Sequence, residues 1–320
     1  MEESFIRKDI ISINELTKEE IDFILDLAGD IEKNPAKYDN IMKGKIMAPL
    51  FFEPSTRTFS SFQSAMLHMG GSILDFDVEA SSIKKGETLT DTAKMIEGYK
   101  PSVVVMRHKK DGSARLVADI MTSPVINAGD GQNQHPTQTL LDLYTIRAVR
   151  GGIDSVKIIM AGDLKYGRTV HSLALALSKY KECEVFFVSP ESLRMPHFLL
   201  DELSRLGLKY REFSLDDLKR VLPDAEILYM TRIQRERFPE GLEGEEEYLR
   251  ISNKYHLTKQ ILGSVNLKSG FKIMHPLPKV DEIERDVDDM TYAHYFKQAE
   301  NGLYVRKALI ALVTGALKNG

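Results

Sequence analysis

Phe52-Glu53-Pro54-Ser55-Thr56-Arg57-Thr58 is the stretch on which the reading of this chain turns. An apolar, strand-like run over residues 46–52 stops at Pro54, and three hydroxyl residues and an arginine follow. A helical pattern then begins, with Phe59, Phe62, Met66 and Met69 three or four positions apart and Gly70-Gly71 at its end. A strand that turns directly into a helix points unpaired backbone N–H groups at whatever sits above the turn, and the helix dipole favours an anion there. Ser55, Thr56 and Thr58 add hydroxyl donors, and Arg57 adds a planar fork of N–H donors suited to phosphate oxygens. The stretch reads as a phosphate site built without the Gly-x-x-x-x-Gly-Lys loop of nucleotide hydrolases. Simple helix capping competes with this reading, but it accounts for one hydroxyl and not for three plus an arginine. Pro49 fits poorly, because proline is normally kept to the edges or ends of strands.

Outward from this turn, strands and helices alternate. Residues 14–33 predict a first helix with Asn14 as its cap. Residues 72–78 and 103–106 predict strands and 114–119 a helix, and 123–127 lead into a loop, Gly129-Asp130-Gly131. A long helix is expected over 135–150, with Pro136 in its first turn and Gly151-Gly152 closing it. A second series follows: strands at 156–161, 184–188, 227–230 and 272–274, helices at 168–179 and 197–206, and a terminal amphipathic helix over 304–317. This pattern predicts an α/β fold of two doubly wound parallel-sheet domains joined by a connecting helix, with a C-terminal helix. The expected domains are 1–150 with 291–320, and 151–290.

A chain of 320 residues suits two domains of roughly 150 residues each. Its formal net charge of -4 argues against a general nucleic-acid binder, so an anion site must draw on local cations. Cys183 is the only cysteine, which excludes a disulfide framework or a four-cysteine zinc site within the chain and suits a reducing, cytoplasmic setting. Residues 1–12 carry Glu2-Glu3 and no signal-peptide core, and no apolar run approaches the roughly 20 residues that span a bilayer, so no membrane association is expected.

Other candidate positions follow the predicted strands. Lys84-Lys85, in a Ser/Gly segment that begins at Ser81, read either as a solvated loop or as cations reaching an anionic ligand. Arg107 lies at the carboxyl end of a strand, where open parallel sheets bind ligands; an ordinary surface arginine is the alternative. His135 and Gln138 share a face at a helix start, as hydrogen-bond donors or as a mere cap. The turn from Gly162 to Arg168 has the context of a dinucleotide fingerprint, but Leu164 breaks its glycine spacing, and Arg168 suits a small carboxylate better. Arg232 and Gln234 follow another strand, and the acidic residues 240–247 read as a mobile solvated loop. His275-Pro276-Leu277-Pro278 exposes the Leu277 carbonyl as an acceptor, with trans as the default for the Leu277–Pro278 bond.

Taken together, the chain resembles the catalytic chains of the aspartate carbamoyltransferase family. The matching segments are 52–58, 84–88, 105–108, 127–144, 162–173, 227–234 and 275–283, in order and spread over nearly the whole chain. Ser55-Thr56-Arg57-Thr58 and His135-Pro136-Thr137-Gln138 mark carbamoyltransferases generally. Gly162-Asp163-Leu164-Lys165-Tyr166-Gly167-Arg168-Thr169-Val170-His171-Ser172 and His275-Pro276-Leu277-Pro278-Lys279-Val280-Asp281-Glu282-Ile283 mark the aspartate branch; the ornithine branch would show His-Cys-Leu-Pro and a Ser-Met-Gly loop. Phe59 stands where many relatives carry arginine.

The resemblance implies transfer of the carbamoyl group of carbamoyl phosphate to the amine of L-aspartate, an early step of pyrimidine biosynthesis, with no metal or organic cofactor. It assigns the phosphate to Ser55, Thr56, Arg57, Thr58 and Arg107, and the carbamoyl group to His135, Gln138 and the Leu277 carbonyl. It assigns aspartate to Arg168, Arg232 and Gln234, with Lys85 near both substrates. It further implies a homotrimer in which Ser81 and Lys85 come from the neighbouring subunit, and zinc-containing regulatory chains as possible partners. Rival readings are a carbamoyltransferase for another amine, an inactive scaffold of the same fold, and a nucleotide-dependent dehydrogenase.

Overall fold

The computed structural model of the chain describes residues 1–76, 86–235, 238 and 242–319. It divides into two compact units, Met1–Tyr144 with Glu300–Gly320, and Thr145–Ala299. In chain order the first series is α1 (Glu2–Phe5), α2 (Lys18–Lys33), β1 (Ile46–Phe51), α3 (Thr56–His68), β2 (Ser72–Ile73), α4 (Leu89–Gly98), β3 (Val103–His108), α5 (Ser113–Ile120), β4 (Val125–Asp130) and α6 (Pro136–Arg150). The second is β5 (Lys157–Ala161), α7 (Arg168–Leu177), β6 (Glu184–Val188), α8 (His197–Arg205), β7 (Lys209–Phe213), α9 (Leu218–Val221), β8 (Ile227–Met230), α10 (Leu242–Lys254), α11 (Lys259–Gly263), β9 (Lys272–Met274) and α12 (Tyr295–Val313). The chain passes between units within α6 and again within α12.

The first unit holds a sheet of order β2-β1-β3-β4 and the second a sheet of order β7-β6-β5-β8-β9, and every pairing is parallel. Parallel strands covered on both faces read as unbroken apolar runs, which is why Ile227–Met230 and most of Val103–His108 are buried residue after residue. Ala48, Leu50, Val104, Met106, Val117 and Val125 share one core cluster in the first unit. Ile159, Phe186, Leu228, Phe271 and Ile273 share one in the second. Each large apolar side chain so buried contributes about 1.5–3 kcal/mol. The two doubly wound parallel sheets and the C-terminal helix are those expected from the sequence.

Pro49 turns out to lie in an interior strand, and the register shows why it is tolerated. Lys45 and Met47 direct their carbonyls to the β2 side, accepting from Ser72 and Leu74. Pro49, two residues on, faces the same side, but the β1–β2 pairing ends at Met47–Ile73. Its missing N–H therefore removes no ladder bond, while Leu50 and Phe51 continue in register with β3.

Several local expectations need correction. The cap of the first long helix is Thr17, which forms a capping box with Glu20, and not Asn14. The acidic stretch is not a loop throughout, because α10 begins at Leu242. The last helix starts at Tyr295, nine residues before its amphipathic pattern becomes legible. The Leu277–Pro278 bond is cis. Strand β7, Lys-Tyr-Arg-Glu-Phe, was not foreseen: it is an edge strand with no fully buried residue, so it lacks the apolar run that betrays the others.

Candidate active site

In the sheet order β2-β1-β3-β4, connections run one way from β1 and the other way from β3, so the switch point falls between these two strands. The turn that leaves β1 carries Ser55 to Thr58, and Arg107 lies near the carboxyl end of β3. Register brings them together: Phe51 pairs with Arg107, and the Phe52 N–H donates to the Arg107 carbonyl at 2.8 Å.

Ser55 is the residue before the first turn of α3, yet its side chain makes no cap hydrogen bond, so the capping reading of this serine does not hold. Thr58 is buried within the first turn, whereas Thr56 and Arg57 are exposed. Arg107 donates from Nη2 to Glu53 Oε1 at 3.0 Å and from Nη1 to the Ala128 carbonyl at 3.2 Å. Its Nε is buried and meets no acceptor among the described residues. Desolvation, then the nearby Arg107 charge, holds the Arg57 guanidinium below its ordinary pKa. The two cations thus disfavour each other, and an anion between such groups relieves that cost. Phe59 packs edge-on against Phe51, with ring centroids 5.1 Å apart, so it supports the turn from behind.

The next strand, β4, ends at Asp130, a buried carboxylate that gathers Asn127 Nδ2 (2.9 Å), the Gly112 N–H (2.9 Å), Asn133 Nδ2 (3.1 Å) and the Gln134 N–H (3.2 Å). This hub presents His135 at the head of α6. The His135 carbonyl accepts from the Gln138 and Thr139 N–H groups at 3.0 and 3.1 Å, so the cap is made by its backbone. Its ring is buried, with Nδ1 3.4 Å from Thr137 Oγ1. Gln138, also buried, is oriented by donation from Nε2 to Asp142 Oδ1 at 2.9 Å. Ser81 and Lys85 lie outside the described residues.

The second unit repeats the plan. In the order β7-β6-β5-β8-β9 the switch point lies between β5 and β8, and the segments leaving these strands carry Arg168 and Arg232 with Gln234. Gly162 has φ +112, and a Cβ there would lie 2.6 Å from Thr231 O, Thr231 Oγ1 and Tyr255 Oη, so only glycine lets the two segments approach. Asp163, buried beside it, accepts from the Tyr166 N–H at 3.0 Å and from Gln234 Nε2 at 3.1 Å, and its own N–H donates to Thr231 Oγ1 at 3.0 Å. The Tyr255 hydroxyl donates to the Ala161 carbonyl at 2.7 Å and accepts from the Thr231 N–H at 3.2 Å, which ties the ends of β5 and β8. Arg232 also borders a small cavity of about 50 Å³, with Tyr248, Ser252, Tyr255 and Glu282 on its walls.

After β9, His275 Nδ1 accepts from the Leu277 N–H at 2.8 Å, and its Nε2 lies 2.8 Å from Glu282 Oε1 in a buried pair. Leu277 has φ +56, an uncommon conformation for a leucine, and the His275 bond holds the residue whose carbonyl is a candidate acceptor. Burial would raise the Glu282 pKa, but the hydrogen bond from His275 and its charge outweigh this and leave it lowered.

Glu53, Asp163, Tyr255 and Glu282 were not singled out from the sequence. Glu53, Asp163 and Glu282 stand inside recognisable motifs, and a carboxylate beside an arginine or histidine motif was the available signal. Tyr255 had none, since its role depends on the ends of two strands, 94 and 24 residues away along the chain.

Residues 8–148 match the model for the carbamoyl-P binding domain of aspartate/ornithine carbamoyltransferase, and residues 154–313 match that for its Asp/Orn binding domain. The chain belongs to the aspartate/ornithine carbamoyltransferase family. Within this family it is 50% identical to the aspartate carbamoyltransferase catalytic subunit of Thermococcus onnurineus, over 97% of this chain and 98% of that one. It is 48% identical to the catalytic subunit of Vibrio campbellii over 98% of both. Among solved structures, the catalytic subunit of M. Jannaschii aspartate transcarbamoylase is 46% identical with a TM-score of 0.86, covering 95% of this chain and 97% of that one. The Trypanosoma cruzi aspartate transcarbamoylase, solved with carbamoyl phosphate and aspartate, is 36% identical with a TM-score of 0.89, over 97% and 98%.

Proposed function

We infer that this chain is an aspartate carbamoyltransferase, which moves the carbamoyl group of carbamoyl phosphate to the amine of L-aspartate and yields N-carbamoyl-L-aspartate and phosphate. The observation that carries the reading is the Ser55–Thr58 turn with its uncapped helix start and two neighbouring arginines, set in a chain whose near-full-length relatives bear that name. In this reading the first unit supplies Ser55, Thr56, Arg57, Thr58 and Arg107 for the phosphate and His135 and Gln138 for the carbamoyl group, for which the Leu277 carbonyl is a further acceptor. The second unit binds aspartate through Arg168, Arg232 and Gln234. Ser81 and Lys85 of a neighbouring subunit complete the site in a homotrimer. The enzyme works in the cytoplasm, at an early step of pyrimidine synthesis. Cys183 alone cannot build a cysteine zinc cluster, so a zinc-containing regulatory chain would be a separate polypeptide.

The chemistry follows from this inventory. The neutral aspartate amine attacks the carbamoyl carbon, a C–N bond forms, and charge develops on the carbamoyl oxygen. Arg107, His135 and Thr58 are the donors to that oxygen, which is stabilisation by preorganised dipoles and charge. The C–O bond to phosphate then breaks, the electron pair leaves with phosphate, and the proton lost by the amine passes to that departing phosphate. Arg57 and the α3 N–H groups hold the departing anion. No protein nucleophile is needed, because holding two reactants in attack geometry supplies much of the acceleration.

The test is a carbamoyl-transfer assay on the purified chain with aspartate, ornithine and related amines, paired with its mass in solution. Turnover with aspartate alone and a mass three times the 36.2 kDa of the chain are expected. Preference for another amine overturns the substrate, and a fully active monomer overturns the shared site.

A further inference from the structure

Gly302 stands in the interior of α12, where glycine is disfavoured relative to alanine. A Cβ at this position would lie 2.2 Å from Arg306 Nη1, one turn later, and 3.1 Å from Leu141 Cδ2 on α6. The glycine therefore makes room for a buried guanidinium: Arg306 is 4% exposed. Its Nη1 donates to Ser61 Oγ at 2.8 Å, its plane lies 5.3 Å from the Phe62 ring centroid, and both partners are on α3. Its Nε is buried without an acceptor among the described residues. Burial pushes its pKa down to about 10, against the opposing charge of Asp142 on α6. Removing a charge from water costs several kcal/mol, and a methionine would fill the same space without that cost. The cation is thus better explained by what it holds than by core packing.

Arg306 is bonded to α3, which carries the Ser55–Thr58 turn, and its charge is opposed by Asp142 on α6, which carries Gln138. Ser61 lies one turn beyond the Ser55–Thr58 turn on the same helix, and Asp142 is the acceptor of the Gln138 amide. We propose that Arg306 is a positioning residue for carbamoyl phosphate, anchoring α3 through Ser61. This rests on the reading of the first unit as the carbamoyl-phosphate-binding one.

The experiment compares Arg306→Met, Arg306→Lys and Ser61→Ala with the parent chain, measuring KM for each substrate, inhibition by inorganic phosphate and Tm. Arg306→Met is expected to raise KM for carbamoyl phosphate and the phosphate inhibition constant about tenfold, with KM for aspartate within about twofold. Arg306→Lys recovers part of the loss, and Ser61→Ala gives a few-fold loss of the same kind with Tm unchanged. A lowered Tm in Arg306→Met with both KM values unmoved overturns the proposal, as does an equal rise for both substrates. If Arg306→Met does not fold, Ser61→Ala decides: an unchanged KM for carbamoyl phosphate and unchanged phosphate inhibition overturn it. Lack of carbamoyl transfer by the parent chain would sink the functional reading instead, and direct phosphate titration of parent and Ser61→Ala still reads the anchoring of α3.

Discussion

The two units use the same sheet plan at their switch points but different electrostatics. At the first, cations gather with little to oppose them: burial and the neighbouring Arg107 charge hold Arg57 below its ordinary pKa, Glu53 is the carboxylate paired with Arg107, and Arg107 Nε has no acceptor among the described residues. At the second, the polar groups are already braced by protein acceptors, with Gln234 on Asp163 and the strand ends tied by Tyr255. The difference matches the proposed ligands. A phosphate carries multiple negative charges and rewards an under-neutralised cluster. A dicarboxylate amino acid is recognised by shape and spacing, which demands donors held in fixed positions.

This comparison can be broken most sharply at Arg57. Arg57→Ala is expected to lower kcat/KM by roughly 10²–10³-fold, the scale for losing one donor to a developing or departing anion, with Tm little changed. Near-normal turnover would remove the phosphate from this turn. Arg232→Ala should have a smaller and differently directed effect, raising KM for aspartate roughly 10–100-fold while the Kd for carbamoyl phosphate stays within about twofold. A change confined to carbamoyl phosphate would erase the division between the units.

The smallest effect concerns the frame around Leu277. Glu282 is held below its ordinary value of 4.5, so its ionised form stabilises the fold above that pH and the contribution fades as pH falls through the lowered value. Glu282→Gln should lower Tm by about 2–4 °C at neutral pH, and the gap to the parent chain should close in acid. A gap that widens in acid would reverse the assigned sign.

Much of the candidate site was legible because it is local. A hydroxyl-rich segment with an arginine, wedged between an apolar run and a helical period, dictates its own turn, and the same reasoning located Arg107 at the carboxyl end of its strand and His135, Arg168 and Arg232 after theirs. Their supports were hidden. Asp163 stood in a quoted motif without a role, and the exposed edge strand β7 carried no apolar run to betray it.

The chain's residue pattern alone settles most of the strands and helices, β7, α10 and the start of α12 apart, and marks which turns offer candidate anion donors, because hydrophobic period and turn chemistry act over a few residues. Strand order, the early end of β2 that lets Pro49 sit inside a sheet, the Gly162 contact with Thr231 and Tyr255, and the Arg306 anchor follow only from the assembled fold. These depend on pairings between distant parts of the chain, and no local preference encodes which buried donor will find which acceptor.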